Sequence, residues 1–253
     1  MGHLSLKLSP LNPNTREHSE SAFLEGGQWD QNQGRRQTRQ FAECFHRYVR
    51  LPWSEFSMLD VGCALGDALP VWHREYPRAK LYGCDVAEIA ARRCEEYHGE
   101  IARFFRASFE ELDGFWDVMY CSNVLEHFEE FLEIADQLLS HCKVLFALTP
   151  FGELRKGNLL SPKGGQCFHV ATFYRNAFDD LVKTGKASRI ETAIAACPCG
   201  GWGLTRVQRI RWLLGLLLRN RYVVQEPLQI IYAIHNAKWP SPDVVQDDGR
   251  YGS

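Results

Sequence analysis

Two aspartates framing a glycine turn, and two histidines further along, are the side chains whose types and spacing could do chemistry in this chain. The aspartates belong to Leu59-Asp60-Val61-Gly62-Cys63-Ala64-Leu65-Gly66-Asp67 and to Leu81-Tyr82-Gly83-Cys84-Asp85-Val86. Each stretch opens on a short apolar run that reads as a buried strand. Glycines 62 and 66 allow a ligand to approach backbone closely, and a helix over residues 67–76 should follow, ended by Pro77. A carboxylate at the tip of the second strand, about 20 to 25 residues past such a turn, is placed to accept from both hydroxyls of a ribose. The pattern describes a nucleoside site contacted by Asp60, Gly62, Cys63, Ala64, Gly66, Asp85 and Val86. His127 and His169 offer imidazoles that could take a proton from an attacking hydroxyl.

The ligand's charge can be argued from the same residues. A dinucleotide fingerprint needs glycine at 62, 64 and 67, where the chain has Gly62, Ala64 and Asp67, and an aspartate beside a pyrophosphate would repel it. Acidic residues suit a cationic ligand. Asp60, two residues before Gly62, resembles the first motif of the class I S-adenosylmethionine-dependent methyltransferases, whose cofactor carries ammonium and sulfonium charges. The resemblance covers roughly residues 58–182. Residues 115–127 are similar to the family's fourth strand and its loop, residues 143–150 to the fifth strand, and residues 102–106 to the third. It implies S-adenosylmethionine as cofactor and S-adenosylhomocysteine as product, with Ser108 and Phe109 at the adenine and Ser122, Asn123 and Val124 beside the cofactor. Ala64 departs from it by replacing a usual glycine. Its methyl group disfavours positive φ, so a β or α conformation is expected there.

Strands alternating with helices suit a doubly wound α/β fold, and the resemblance implies its form: a seven-stranded, mostly parallel, Rossmann-like sheet with an antiparallel last strand. Residues 1–34 are polar and read as a loosely ordered arm, and residues 35–253 as one domain with a cofactor half at 56–150 and an acceptor region at 151–227. Phe41, Phe45, Tyr48 and Val49 give a helix over residues 36–49, and further helices are expected over 88–97, 129–140 and 173–184. Strands at 189–196 and 228–234 close the sheet, and a helical insertion lies between them.

The 253 residues, 45% of them hydrophobic, can bury a core without staples. Nine cysteines at unrelated spacings read as reduced thiols, and Cys197-Pro198-Cys199 without a second pair is a poor zinc signal. A net charge of −2 supplies no field for a polyanion, so nucleic acid is not an expected partner. The N-terminus lacks a basic region followed by an apolar core, so a cytoplasmic location is expected. The segment from Arg206 to Arg221 is basic at both ends, apolar in its centre and too short to span a bilayer. A helix there packs on the domain or a second copy, with its arginines snorkelling, or lies on the inner face of an anionic membrane. The oligomeric state is open.

Methyl transfer from a sulfonium leaves little covalent work to the protein beyond alignment and removal of the acceptor's proton. His169, after the fifth strand in a glycine-rich loop, resembles the acceptor-side histidine of small-molecule and sugar methyltransferases and is the first candidate base. His127, in the context Leu125-Glu126-His127, is the second, or a helix-start residue; Glu126 reads as an acceptor for backbone amides. No histidines pair at metal-ligand spacing and the loop at Cys121-Ser122-Asn123 lacks adjacent carboxylates, so no metal is expected. The expected acceptor is a sugar hydroxyl of a glycan or polysaccharide, or a related small molecule. An amine, a lipid-linked acceptor at the membrane, and a non-catalytic cofactor-binding scaffold are the alternatives, the intact acids counting against the last.

Overall fold

Along each central strand, successive side chains point to opposite faces, and this period of two sorts the apolar residues into two cores. Met58, Val118, Tyr120, Val144 and Phe146 fall on one face; Leu59, Met119, Cys121, Leu145 and Ala147 fall on the other. The computed structural model describes Glu20, Phe23 and residues 32–152, 169–197, 228–239 and 241–245. Its elements run α1 Asn32–Tyr48, β1 Ser57–Val61, α2 Leu69–Glu75, β2 Lys80–Asp85, α3 Glu88–His98, β3 Ala102–Arg106, β4 Trp116–Ser122, α4 Phe131–Ser140, β5 Cys142–Pro150, α5 Asp179–Lys183, β6 Ala187–Ala196 and β7 Leu228–Asn236.

The sheet order is β3-β2-β1-β4-β5-β7-β6. β1 pairs in parallel with both β2 and β4, and β7 runs antiparallel between β5 and β6. This is the expected doubly wound sheet with an antiparallel last strand. The strand order reverses between β1 and β4, so a crevice opens beyond their carboxyl ends, where ligands of such sheets bind.

Helix α1 buries Phe41, Ala42, Cys44 and Phe45. Phe45 packs edge-on to Tyr120 and Phe146 of the sheet, 5.1 and 5.0 Å between ring centres, and tilted against Trp72 of α2 at 5.3 Å. Burying about three large side chains at roughly 1.5–3 kcal/mol each is ample to dock a helix of this length. The expected α2 starts two residues late, at Leu69, since Asp67 is drawn into a turn and Pro70 suits only a helix's first turn. The helix expected over 173–184 is reduced to α5: Phe173 forms a bridge with Phe151, and its ring joins Phe131, Phe178 and Tyr232 in the core. That burial outweighs helical propensity. Every described cysteine is buried and none is in a disulfide. No described helix is long and apolar enough to cross a membrane. The Arg206 to Arg221 segment, the helical insertion, Cys199 and the glycine-rich stretch before His169 lie outside the described residues.

Candidate functional site

The loop leaving β1 is a tight reversal pinned to β2. The amides of Gly62 and Cys63 both donate to the Cys84 carbonyl, at 2.9 and 3.0 Å, and the Gly66 amide donates to the Cys63 carbonyl at 2.8 Å. Gly62 has φ +70° and Gly66 φ +74°. A Cβ built on Gly62 would stand 2.6 Å from a methyl of Val124, so the loops after β1 and β4 touch because position 62 has no side chain. Ala64 overturns the conformation expected of it. Its φ is +51°, in the left-handed region, held there because its amide donates to the Asp85 carboxylate at 3.1 Å while its carbonyl accepts from the Cys94 thiol at 3.1 Å. Such a strained non-glycine residue persists where its surroundings over-determine it.

Asp85 accepts through one oxygen from Ala64 and through the other from the Ala87 amide, at 3.0 Å, the amide that opens α3. Each oxygen keeps a second lone pair, which is what two ribose hydroxyls require. Burial pushes the Asp85 pKa up to about 6, against the pull of the Ala87, Ala64 and Val86 amides. Asp60 is buried deeper. Burial, and then the neighbouring Asp85 charge, raises its pKa well above the carboxylate range, and its Oδ2 has no hydrogen-bond partner among the described residues. A buried oxygen of that kind calls for an explanation. A cationic ligand supplies one by favouring both ionised carboxylates; a pyrophosphate would do the reverse.

Around this pair, Val86, Ser108, Phe109, Ser122, Asn123 and Val124 are all half-buried at the carboxyl ends of the strands. Asn123 adopts φ +55°, its amide bonded to the Leu148 carbonyl of β5 at 2.8 Å and its side chain donating to Ser122 at 3.1 Å. The Phe109 ring meets Phe128 at 5.3 Å, and Gln137 donates to the Phe109 carbonyl at 2.8 Å, which fixes the loop where an adenine would lie.

Asp67 corrects the reasoning about charge. Its carboxylate turns away from the crevice into α1, 2.8 Å from Arg35 Nε and 3.3 Å from Arg39 Nη2. What disfavours a dinucleotide is therefore the missing glycines at 64 and 67 together with Asp60. The sequence contained a clue to this clamp, since Arg35 and Arg39 lie one helical turn apart. No clue pointed to Glu20 and Phe23. Glu20 accepts from the Glu88 and Ile89 amides at the start of α3, at 2.7 and 3.2 Å, while Phe23 is buried on Leu65, Ala87 and Ala90, over the same loop.

The two candidate bases meet. His127 closes a single 3-10 turn, Leu125–His127, after β4, and its ring centre is 5.0 Å from that of His169. Glu126, expected to accept from amides, does so through its backbone: the Val170 and Ala171 amides donate to its carbonyl at 2.7 and 3.1 Å. Its carboxylate is buried and lies 4.0 Å from His169 Nε2. Glu126, His127 and His169 thus present donor atoms within 4.8 Å of one another, an arrangement able to hold a proton or a cation. Spacing along the chain could not show it.

Residues 30–181 match a family described as a methyltransferase domain. No curated protein matches the chain. Among solved structures, the chain is similar to the methyltransferase in a complex with a Haloferax volcanii methyltransferase activator, at 12% identity and TM-score 0.59 over 86% of this chain and 97% of that one. It is similar to the plantazolicin methyltransferase in complex with a triazolic desmethylPZN analogue and S-adenosylhomocysteine, at 18% identity and TM-score 0.52 over 87% and 95%. It is also similar to a [4+2]-cyclase, at 15% identity and TM-score 0.52 over 80% of each chain. At these identities the likeness is one of fold.

Proposed function

The chain belongs to the methyltransferase-domain family, and on that premise we propose that it transfers the methyl group of S-adenosylmethionine to a hydroxyl, of a sugar in glycan or polysaccharide biosynthesis or of a related small molecule. The observation that carries the cofactor is the buried Asp60 and Asp85 pair at the glycine turn, which a cationic ribonucleoside would relieve of its repulsion. The cofactor supplies a methyl carbon on a sulfonium whose leaving group is a neutral thioether. Asp85 holds the ribose, Asp60 faces the ammonium and sulfonium charges, and the Ser108-Phe109 loop takes the adenine.

The acceptor side is carried by the histidine cluster. His169, about a quarter exposed where Glu126 is buried, takes the acceptor's proton on its imidazole as the oxygen attacks, while Glu126, 4.0 Å from its Nε2, and His127 orient the ring. A methyl-release assay against nucleotide sugars, glycan extracts and amines tests the reading. Transfer to a hydroxyl compound supports it; transfer to amines alone, insensitive to His169→Ala, overturns it.

A further inference from the structure

The place where Glu126, His127 and His169 converge has the makings of a coordination site. Two imidazole nitrogens and one carboxylate oxygen, all within 4.8 Å of one another, form a mixed nitrogen and oxygen set with room for further ligands. That set suits borderline divalent ions such as Zn²⁺, Fe²⁺ and Mn²⁺ and suits Mg²⁺ poorly. Donors around such an ion sit about 2.0–2.2 Å from it. Tetrahedral partners are then about 3.4 Å apart, so the donors must close by less than about 1 Å each.

The frame is already built. Glu126 and His127 are consecutive on one 3-10 turn, and the segment carrying His169 is tied to that turn by the Val170 and Ala171 amides on the Glu126 carbonyl. The Glu126 side chain is 1% exposed and that of His169 26%, so the site is closed beneath and open on one side. The cluster follows the carboxyl end of β4, the edge of the sheet at which ligands of such folds bind.

We infer that Glu126, His127 and His169 bind one divalent transition-metal ion whose open position takes the acceptor oxygen. The ion's role, though not its binding, rests on the hydroxyl-acceptor reading. Its charge lowers the hydroxyl's pKa, and the proton leaves to water. The oxygen lone pair then forms the new bond to the methyl carbon as the carbon–sulfur pair returns to sulfur. The His169 lone pair is committed to the ion in this state, and the imidazole base is the metal-free limit of the same cluster.

The test uses untagged full-length protein, stripped with chelator and titrated with Zn²⁺, Mn²⁺ and Fe²⁺ under anaerobic calorimetry, with S-adenosylhomocysteine binding as the folding control. One equivalent of one of these ions is expected, with affinity reduced more than about 10-fold in Glu126→Gln and in His169→Ala while S-adenosylhomocysteine affinity stays at the parent's value. His127→Gln serves where either variant fails that control. Absence of binding, or binding unchanged in the variants, overturns the site and leaves the hydroxyl reading standing on the imidazole alone. Full turnover of a hydroxyl acceptor by stripped enzyme overturns the ion's role even if it binds.

Discussion

The two halves of the crevice are built on opposite plans. On the side proposed for the cofactor, the Gly62 and Cys63 amides are bonded to the Cys84 carbonyl and the Ala64 amide to the Asp85 carboxylate, and Ala64 is even forced to φ +51°. On the side proposed for the acceptor, Glu126 and His127 sit on the 3-10 turn after β4 and His169 arrives after β5, the segments joined by two amide bonds to one carbonyl. A rigid, sequence-local frame fits a cofactor that never changes. A cluster assembled from separate segments lets the acceptor pocket vary while the chemistry is kept, as loops on a fixed scaffold generally do.

If the halves are separate in this way, mutations should separate them. The largest effect is expected from Asp85→Ala: it deletes two charge-assisted bonds to the ribose, and calorimetry should show about 2 to 4 kcal/mol less affinity for S-adenosylmethionine. His169→Ala should do the converse, lowering turnover by roughly 100-fold with cofactor affinity unchanged. A variant that damages both functions equally would erase the distinction.

A third histidine sharpens the comparison because its burial has no part in chemistry. His46 of α1 lies among Phe45, Trp72 and Tyr76 with neither ring nitrogen bonded among the described residues. Burial, with the Arg50 charge second, holds its pKa down at about 3, against about 6.5 for a free imidazole. Below 6.5 the unfolded chain binds a proton that the native one refuses, so this contribution is intact above about 6.5 and is lost as pH falls toward 3. His46→Leu should reduce the loss of urea stability between pH 7.5 and pH 5 by about 1–2 kcal/mol. Methyl transfer at pH 7.5 should be unchanged.

The smallest expected effect is a pH dependence confined to the cofactor half. The ligand-free Asp85 carboxyl is raised to about 6, and holding a ribose requires it ionised. The Asp85 contribution to binding is then flat above about pH 6 and weakens by up to about tenfold per unit below, where uptake of ligand releases the Asp85 proton. Affinity that rises on acidification would mean the carboxyl acts as a donor instead.

The same contrast explains what could be read from the sequence. β3 falls at residues 102–106 as expected and β5 begins one residue early, because period-two alternation and flanking turns are local signals. The glycine turn at residues 62–66 and the place of Asp85 at the tip of β2 were legible for the same reason, being set by glycines and an acid at fixed spacing. Asp67's clamp by Arg35 and Arg39, the cover of Glu20 and Phe23, and the meeting of His127 with His169 were not, since each joins segments far apart in the chain. Ala64 was misjudged because intrinsic φ preference was weighed without the Asp85 carboxylate that its amide reaches.

On the proposed reading, the buried acids at the glycine turn select a cationic ribonucleoside. Calorimetric titration of the full chain at pH 7.5 with S-adenosylmethionine, S-adenosylhomocysteine and NADH tests it directly. One-to-one binding of the first two with no specific heat from NADH is the predicted result, and saturable NADH binding beside a silent S-adenosylmethionine titration would contradict it.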